Sequence, residues 1–488
     1  MAEGKKSVVR NYMYNLIYQV LILILPLITT PYLSRVLGAE GVGIYGYTYS
    51  IVTYFVLFGS LGIALYGQRE IAYVQNDPKK RKKVFLELIT FRFITLAIAV
   101  LVYCLIFLRD GQYRQYYLIL LIELIAAGFD ISWFFQGIED FKRTVLRNVL
   151  VRLASVTLVF VIVKTSSDLW KFVLIYSLAD LLGNLLLWFY LPRYLRGYKV
   201  GKLNLKIHLI PLLMLFIPQV TNKVYNLLDT TMLGAIVSNK QETGYYEQSQ
   251  KVIRLLITIV TSLGVVMIPR VASIYASGDN KKINAYIKNS FTFVFFISFP
   301  MMFGIASIAR DFVPIFFGEG YDKSATLIMI FCPMILLMGI ENVIGTQYML
   351  PTKRQKEYTI SVLAGVVVNL ILNAIFINLW QSVGASIATI LSQVVVDSVQ
   401  IYFVRRDIKW KPLIRIAVRY LVSSLFMFGA CMLVKLLIHK AVITIIVQML
   451  VGVGVYVGML ILFRDRFLNT ILDRIKGKVS EMKLRFQN

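Results

Sequence analysis

Four ionisable residues fall where an apolar chain has least use for them. Between residues 218 and 254, the run PQVTNKVYNLLDTTMLG, a short polar loop and the run GYYEQSQKVIR set Lys223, Asp229, Lys251 and Arg254 among long apolar stretches. A bare cation in hydrocarbon costs about 3 kcal/mol or more, so Lys223, Lys251 and Arg254 must face water, pair with carboxylates or await an anionic ligand. Helical spacing sorts their neighbours. Gln219, Asn222, Lys223, Asn226 and Thr230 recur at steps of three or four, as do Lys251, Arg254, Thr258 and Thr261. Asn15 and Gln19 share a face with Asn11, while Tyr45 and Tyr49 stand in a run rich in tyrosine and threonine, and Tyr246 follows Gly244. These types bind anionic and polar cargo through charge and hydrogen bonds. Asparagine and threonine also serve as glue between helices, at about 0.6 kcal/mol each, and Lys251, nearer a helix end, could snorkel.

The acidic candidates are Glu123, Asp130, Asp180, Asp229, Glu341 and Asp397. Carboxylates inside a membrane carry protons or sodium, or neutralise nearby arginine and lysine. Asp130, Asp229 and Glu341 are the candidates for ion coupling. His208 and His439 stand alone, no phosphate-cradling Walker motif is present, and Cys104, Cys332 and Cys431 lie singly inside apolar runs. Neither a metal centre, nor a cofactor, nor nucleotide hydrolysis is expected.

The elements that carry these residues follow from composition. With 488 residues, a mean hydropathy of +0.70 and 16% charged residues, the chain is too apolar for a water-exposed surface. About fourteen apolar runs of spanning length recur, at 12–33, 44–66, 86–108, 116–136, 148–163, 171–191, 207–234, 245–269, 290–309, 324–349, 359–379, 383–403, 416–437 and 441–462. Their continuity lacks the two-residue alternation of a barrel, so the fold class is an all-α polytopic membrane protein. A net charge of +26 would suit nucleic acid on one hydrophilic face. Here the 52 basic residues collect in short clusters, mostly in the two tails and in alternate loops such as 79–83, 193–206 and 405–415. That asymmetry puts both termini in the cytoplasm, and no nucleic-acid partner is expected. Arg92, Arg152 and Arg419 lie near cytoplasmic helix ends and are expected to reach lipid headgroups. The tail 463–488 repeats apolar residues at helical spacing among basic ones, and so should lie on the inner leaflet.

An internal repeat organises the spans. Gly43, Tyr45 and Arg69 match Gly244, Tyr246 and Arg270 at an offset of 201, with Lys80 and Arg81 matching Lys281 and Lys282. At 211, Gly128, Asp130, Gln136, Lys142 and Arg143 match Gly339, Glu341, Gln347, Lys353 and Arg354. Two six-helix lobes, 1–206 and 207–411, related by a pseudo-twofold along the membrane normal, are expected, followed by two added helices in 412–462 and the tail.

One stretch carries a family resemblance. VVNLILNAIFINLWQSVGASIATILSQ at 367–393, with Asn369, Asn373, Gly384, Ala385, Ala388 and Thr389, resembles the signature of the polysaccharide transporters of the multidrug, oligosaccharidyl-lipid and polysaccharide exporter superfamily. PYLSRVLGAEGVGIYGY at 31–47, the segment 229–246 and FKRTVLRNVLVRL at 141–153 are similar to that family too. The resemblance covers nearly the whole chain. It implies a Wzx-type flippase moving an undecaprenyl-diphosphate-linked oligosaccharide between leaflets by alternating access, with a cavity between the first, second, seventh and eighth helices. It also implies membrane lipids, a polysaccharide polymerase and assembly proteins as partners. A lipid II flippase and a drug exporter of the same superfamily are the alternatives. A membrane glycosyltransferase or polymerase would need a long outer loop with catalytic acids, whereas loops such as 109–115 and 380–382 are tiny.

Overall fold

The computed structural model describes residues 2–109, 111–470 and 472–473, all helix, turn or irregular chain, with no strand among them. The helices are α1 (Ala2–Ser60), α2 (Ile63–Tyr73), α3 (Pro78–Phe107), α4 (Arg114–Phe129), α5 (Ser132–Gly137), α6 (Phe141–Ile162), α7 (Leu169–Trp188) and α8 (Pro192–Leu195). After an irregular linker come α9 (Lys206–Ile236), α10 (Lys240–Ala276), α11 (Asn280–Phe317), α12 (Asp322–Phe331), α13 (Pro333–Glu341), α14 (Gln355–Val404), α15 (Trp410–Leu437) and α16 (Ala441–Leu462). The amphipathic tail lies largely outside the described residues.

Among the described residues, eleven helical stretches are long and apolar enough to cross a membrane, and two of them run for 50 residues. The first, Ile24–Tyr73, bends at Gly38 (φ 65°) in α1 and again at Leu61 and Gly62 before α2, and the second bends at Gln381 (φ 53°) in α14. Each therefore supplies two crossings. With α9, at 31 residues, the described residues hold the fourteen expected from the sequence. The local detail differs from expectation. Where a loop is expected at 34–43, helix continues and turns on Gly38, because glycine enters the left-handed region without a steric penalty. The tenth span, expected as one helix, is instead α12, α13 and a π-helical turn at Asn342–Met349, since Pro333 offers no N–H to continue α12.

By contacts the chain divides into two compact units, Met1–Glu247 and Gln248–Asn488. Within the first, Ile51, Val52, Leu96, Tyr103, Tyr117 and Val173 close one core around the second half of α1. A second core joins Ile63 and Tyr66 of α2 to Phe85, Trp133, Phe134 and Leu212. Within the second unit, α11, α15 and α16 are tied by Tyr456, donating to the Phe296 carbonyl at 2.8 Å, and by the Lys435–Asp311 ion pair at 2.7 Å.

Two features carry the repeat into three dimensions. Asp77 and Asp279 cap α3 and α11, accepting from the backbone N–H of Lys80 and Lys282 at 3.0 Å in each case. Those bonds hold both carboxyls below the usual carboxylate range, so the caps are complete at neutral pH and are lost only as acid reaches the lowered values. The other feature is a crossing without side chains. A β-carbon on Gly43 would collide with the Lys240 carbonyl oxygen, and one on Gly244 with the Ala39 carbonyl oxygen. Residues 39 and 43 stand to 240 and 244 at the same offset, so each contact is the other's image under the repeat.

The arginines expected to reach headgroups are otherwise placed. Arg92 is 3% exposed, donates to the Asp130 carbonyl at 3.1 Å and lies 3.9 Å from its carboxylate. Arg419 pairs with Asp465 at 2.9 Å, and Arg152 stands beside Glu123 and Asp180, its guanidinium 5.9 Å from the centre of the Tyr176 ring. Each has found a partner inside the protein, which snorkelling would forfeit. Arg92→Met, which keeps the volume but leaves Asp130 without its cation, is expected to cost about 3 kcal/mol or more of stability. A thermal melt in detergent checks it, and an unchanged melting temperature would refute the pairing.

Candidate functional site

The last turns of α9 are bolted down, while Lys223, near its middle, is exposed. Asp229 is buried and accepts from the Tyr246 hydroxyl at 2.6 Å, and the next residue, Thr230, donates to Glu247. On the opposite side Thr231 donates to Ser50 of α1 at 2.8 Å. The helix ends at Ile236, and Lys240, the first residue of α10 and only 8% exposed, turns its ammonium back to donate to the carbonyls of Gly234 and Val237, 4.9 Å from the Tyr47 ring centre. A cation there satisfies carbonyls that a helix C-terminus leaves open and complements its dipole. Further back, Gln219 donates to the Leu215 carbonyl at 2.9 Å, and Lys223 is exposed. The side chains of Asn15, Gln19, Asn222 and Asn226 lie outside the described residues.

Tyr45 and Tyr49 are half-buried in an aromatic layer between α1 and α7. Their rings stack at 5.2 Å, and Tyr45 meets Phe172 edge-on at 4.9 Å. Beside them Glu123 and Asp180 are hydrogen-bonded to each other, with Arg152 nearby. Both residues are acidic candidates from the sequence, but nothing in the sequence pairs them, since they lie far apart along the chain. Tyr246 is fully buried, its hydroxyl on Asp229.

In the second unit Arg254 is exposed on α10, donates to Gln250 one turn earlier, and its carbonyl accepts from Thr258 at 2.8 Å. Lys251 is half-buried. Glu341 ends α13 in hydrogen-bonding contact with Tyr358 and Gln400. Its counterpart Asp130 ends α4 and accepts from the Ser132 N–H at 2.9 Å. Of the two repeat-related carboxylates, Asp130 satisfies a backbone N–H that a helix break exposes, whereas Glu341 is held by side chains of α14. The signature stretch folds around the bend in α14: Asn373 donates to Asn369 at 3.0 Å, Thr389 to the Ala385 carbonyl at 2.8 Å, and Gly384 lies too close to the Phe376 carbonyl for any β-carbon. No group of three His, Cys, Asp or Glu side chains among the described residues could hold a metal. The three cysteines are unpaired, Cys332 and Cys431 buried and Cys104 half-buried.

With this geometry in view, comparison with known proteins adds a family. The model of the family described as polysaccharide biosynthesis protein matches residues 8–275, and that of the lipid II flippase MurJ matches residues 213–453. A protein of Escherichia coli strain K12 assigned as an O-antigen transporter is 26% identical over 415 residues, which cover 83% of this chain and 99% of that one. Among solved structures, the lipid II flippase MurJ in an inward closed conformation superimposes with a TM-score of 0.70 at 16% identity, over 94% of this chain and 99% of that one. An inward-facing multidrug resistance MATE transporter gives 0.60 at 13% identity, over 84% and 95%.

Proposed function

The chain belongs to the polysaccharide biosynthesis protein family, the Wzx-type flippases, and on that premise we propose that it carries an undecaprenyl-diphosphate-linked oligosaccharide from the inner to the outer leaflet of a bacterial plasma membrane. The observation that carries this reading is the family match over more than half of the chain, joined to three cations, Lys223, Lys251 and Arg254, set in otherwise apolar helices. A diphosphate cannot enter hydrocarbon unaided, and cations facing a watery path lower its barrier. Arg254 presents a planar fork matched to phosphate oxygens, and Lys223 a point charge. Asn15, Gln19, Gln219, Asn222 and Asn226 would hydrogen-bond the cargo beside them, with Tyr45, Tyr49 and Tyr246 toward its sugars. The polyprenyl tail can stay in an apolar environment throughout. An apolar groove of about 500 Å³ among α11, α15 and α16, lined by Phe296, Met301, Met427, Met449 and Val453, has the right chemistry for such a chain.

The two repeats 1–206 and 207–411 rock as lobes in alternating access, with both termini cytoplasmic. Asp130, Asp229 and Glu341 are the positions where a coupling ion would act. No bond is made or broken in the cargo, so the protein acts as a transporter without catalysis, beside a polymerase and assembly proteins that use what it delivers. The test is flipping of a lipid-diphosphate-linked oligosaccharide in proteoliposomes, scored by access of a sugar-modifying probe to the outer leaflet. Movement is expected; failure with several such lipids, together with export of a soluble cation, would overturn the reading. The match of residues 213–453 to the MurJ model favours lipid II as a second cargo to offer in the same assay.

A further inference from the structure

Where the linker enters α9, three buried side chains from three helices form one chain of hydrogen bonds. Glu87 of α3, His208 of α9 and Tyr66 of α2 are each 3% exposed or less. The Tyr66 hydroxyl lies 2.9 Å from His208 Nδ1, and His208 Nε2 lies 3.2 Å from Glu87 Oε2. The other carboxylate oxygen of Glu87 accepts from the backbone N–H of Asn204, in the linker, at 2.8 Å, with the Lys83 ammonium 3.9 Å away. In sequence His208 and Glu87 are 121 residues apart.

A carboxylate buried this deeply needs donors for its oxygens, and His208 Nε2–H is one of them. With the proton on Nε2, Nδ1 carries a lone pair and accepts from the Tyr66 hydroxyl. Both ring nitrogens are thus used, one toward α2 and one toward α3.

Other charged groups stand close to this pair. On α2, Arg69 pairs with Glu70 at 2.9 Å and stands 5.1 Å from the Tyr66 ring centre; on α3 the facing groups are Lys83 and Glu87. From α5 come Trp133 and Phe134, and from α8 Leu195 and Tyr194, whose hydroxyl donates to Asp140 at 2.9 Å. On α9 itself, Lys206 is exposed. Nor does the architecture require the clasp. In the second repeat, aligned by Arg69 with Arg270 and by the Asp77 and Asp279 caps, the places of Tyr66 and Glu87 are taken by Met267 and Asn289. Lys223 lies fifteen residues beyond His208, roughly 22 Å along α9 at the helical rise. Whatever holds the root of that helix sets where its cation can swing.

We propose that His208 is a positioning residue for transport: clasped between Glu87 and Tyr66, it pins the root of α9 to α2 and α3. The inference rests on the flippase reading for its consequence, but the clasp can be tested without any cargo. Spin labels at Lys80→Cys and Lys202→Cys, in a chain whose three native cysteines are alanine, report the distance between α3 and the linker by pulsed electron spin resonance in liposomes. In this otherwise native chain the distribution should be narrow. Glutamine can imitate the bonds of the neutral ring, so His208→Gln should stay narrow, while His208→Ala should gain a longer component. Tyr66→Phe, which loses only the hydroxyl, should broaden the distribution less than His208→Ala does.

Transport should fall about threefold in His208→Ala and recover in His208→Gln. An unchanged distance distribution in His208→Ala, or transport by His208→Gln as low as by His208→Ala, would overturn the proposal. A clasp that loosens in His208→Ala, in a protein that flips no lipid-linked sugar, would leave the clasp standing and remove the flippase reading instead.

Discussion

Replacing Arg254 with alanine is expected to cut flipping roughly ten- to hundredfold while the protein still reaches the membrane, because a lost charge-assisted hydrogen bond is worth about 1.5–3 kcal/mol. The side chain is exposed, and among its contacts is the hydrogen bond to Gln250 on its own helix, so its removal leaves no cavity. Arg254→Lys separates two origins of the effect. It keeps the charge and loses the fork, and an intermediate rate would mean that the phosphate oxygens are gripped in pairs. A full rate in Arg254→Lys would assign the effect to field alone. Normal flipping by Arg254→Ala would end the role proposed for it.

The largest structural effect is expected from Gly244→Val. The obstructing atom is a main-chain carbonyl, that of Ala39, so no side-chain rotation relieves the overlap, and α10 must separate from α1. Overpacking of this kind costs about 3 kcal/mol or more, and here it also strains the neighbouring Asp229–Tyr246 and Thr230–Glu247 bonds. Size-exclusion profiles after heating should show Gly244→Val aggregating at a markedly lower temperature than the native protein. Gly454→Val on α16 is the control, since nothing lies within 4 Å of a β-carbon there. Equal losses from the two substitutions would refute the crossing.

Fourteen spans and an internal repeat were legible because both are written in periodicity and spacing, properties that survive without knowledge of contacts. The cations of the site were legible for a related reason: a charge in an apolar run stands out on its own. What stayed hidden depends on partners far away along the chain. Arg92 near a helix end reads as a headgroup ligand until Asp130, 38 residues later, is seen beside it. His208 reads as solitary until Glu87 is. Lys240 reads as a loop residue, yet it closes α9 from inside. The positions of helix breaks were hidden too, because Gly38 and Gln381 bend their helices within a single residue, and a hydropathy window averages over such a residue.

The Gly43 and Gly244 crossing has the form of an isologous dimer contact, in which residue i meets j while j meets i. Two separate copies of a six-helix ancestor, meeting about a twofold axis, would have set the same glycine against the same carbonyl twice. Fusion of the copies keeps the steric demand, since both glycines remain, but it frees the residue that contributes the carbonyl, because only its main chain is touched. That freedom has been used. One copy carries a small alanine at position 39, and the other carries Lys240, whose side chain has taken up the separate work of closing the helix before it. The two halves thus differ in side chain at a position where the shared contact is made by the peptide backbone.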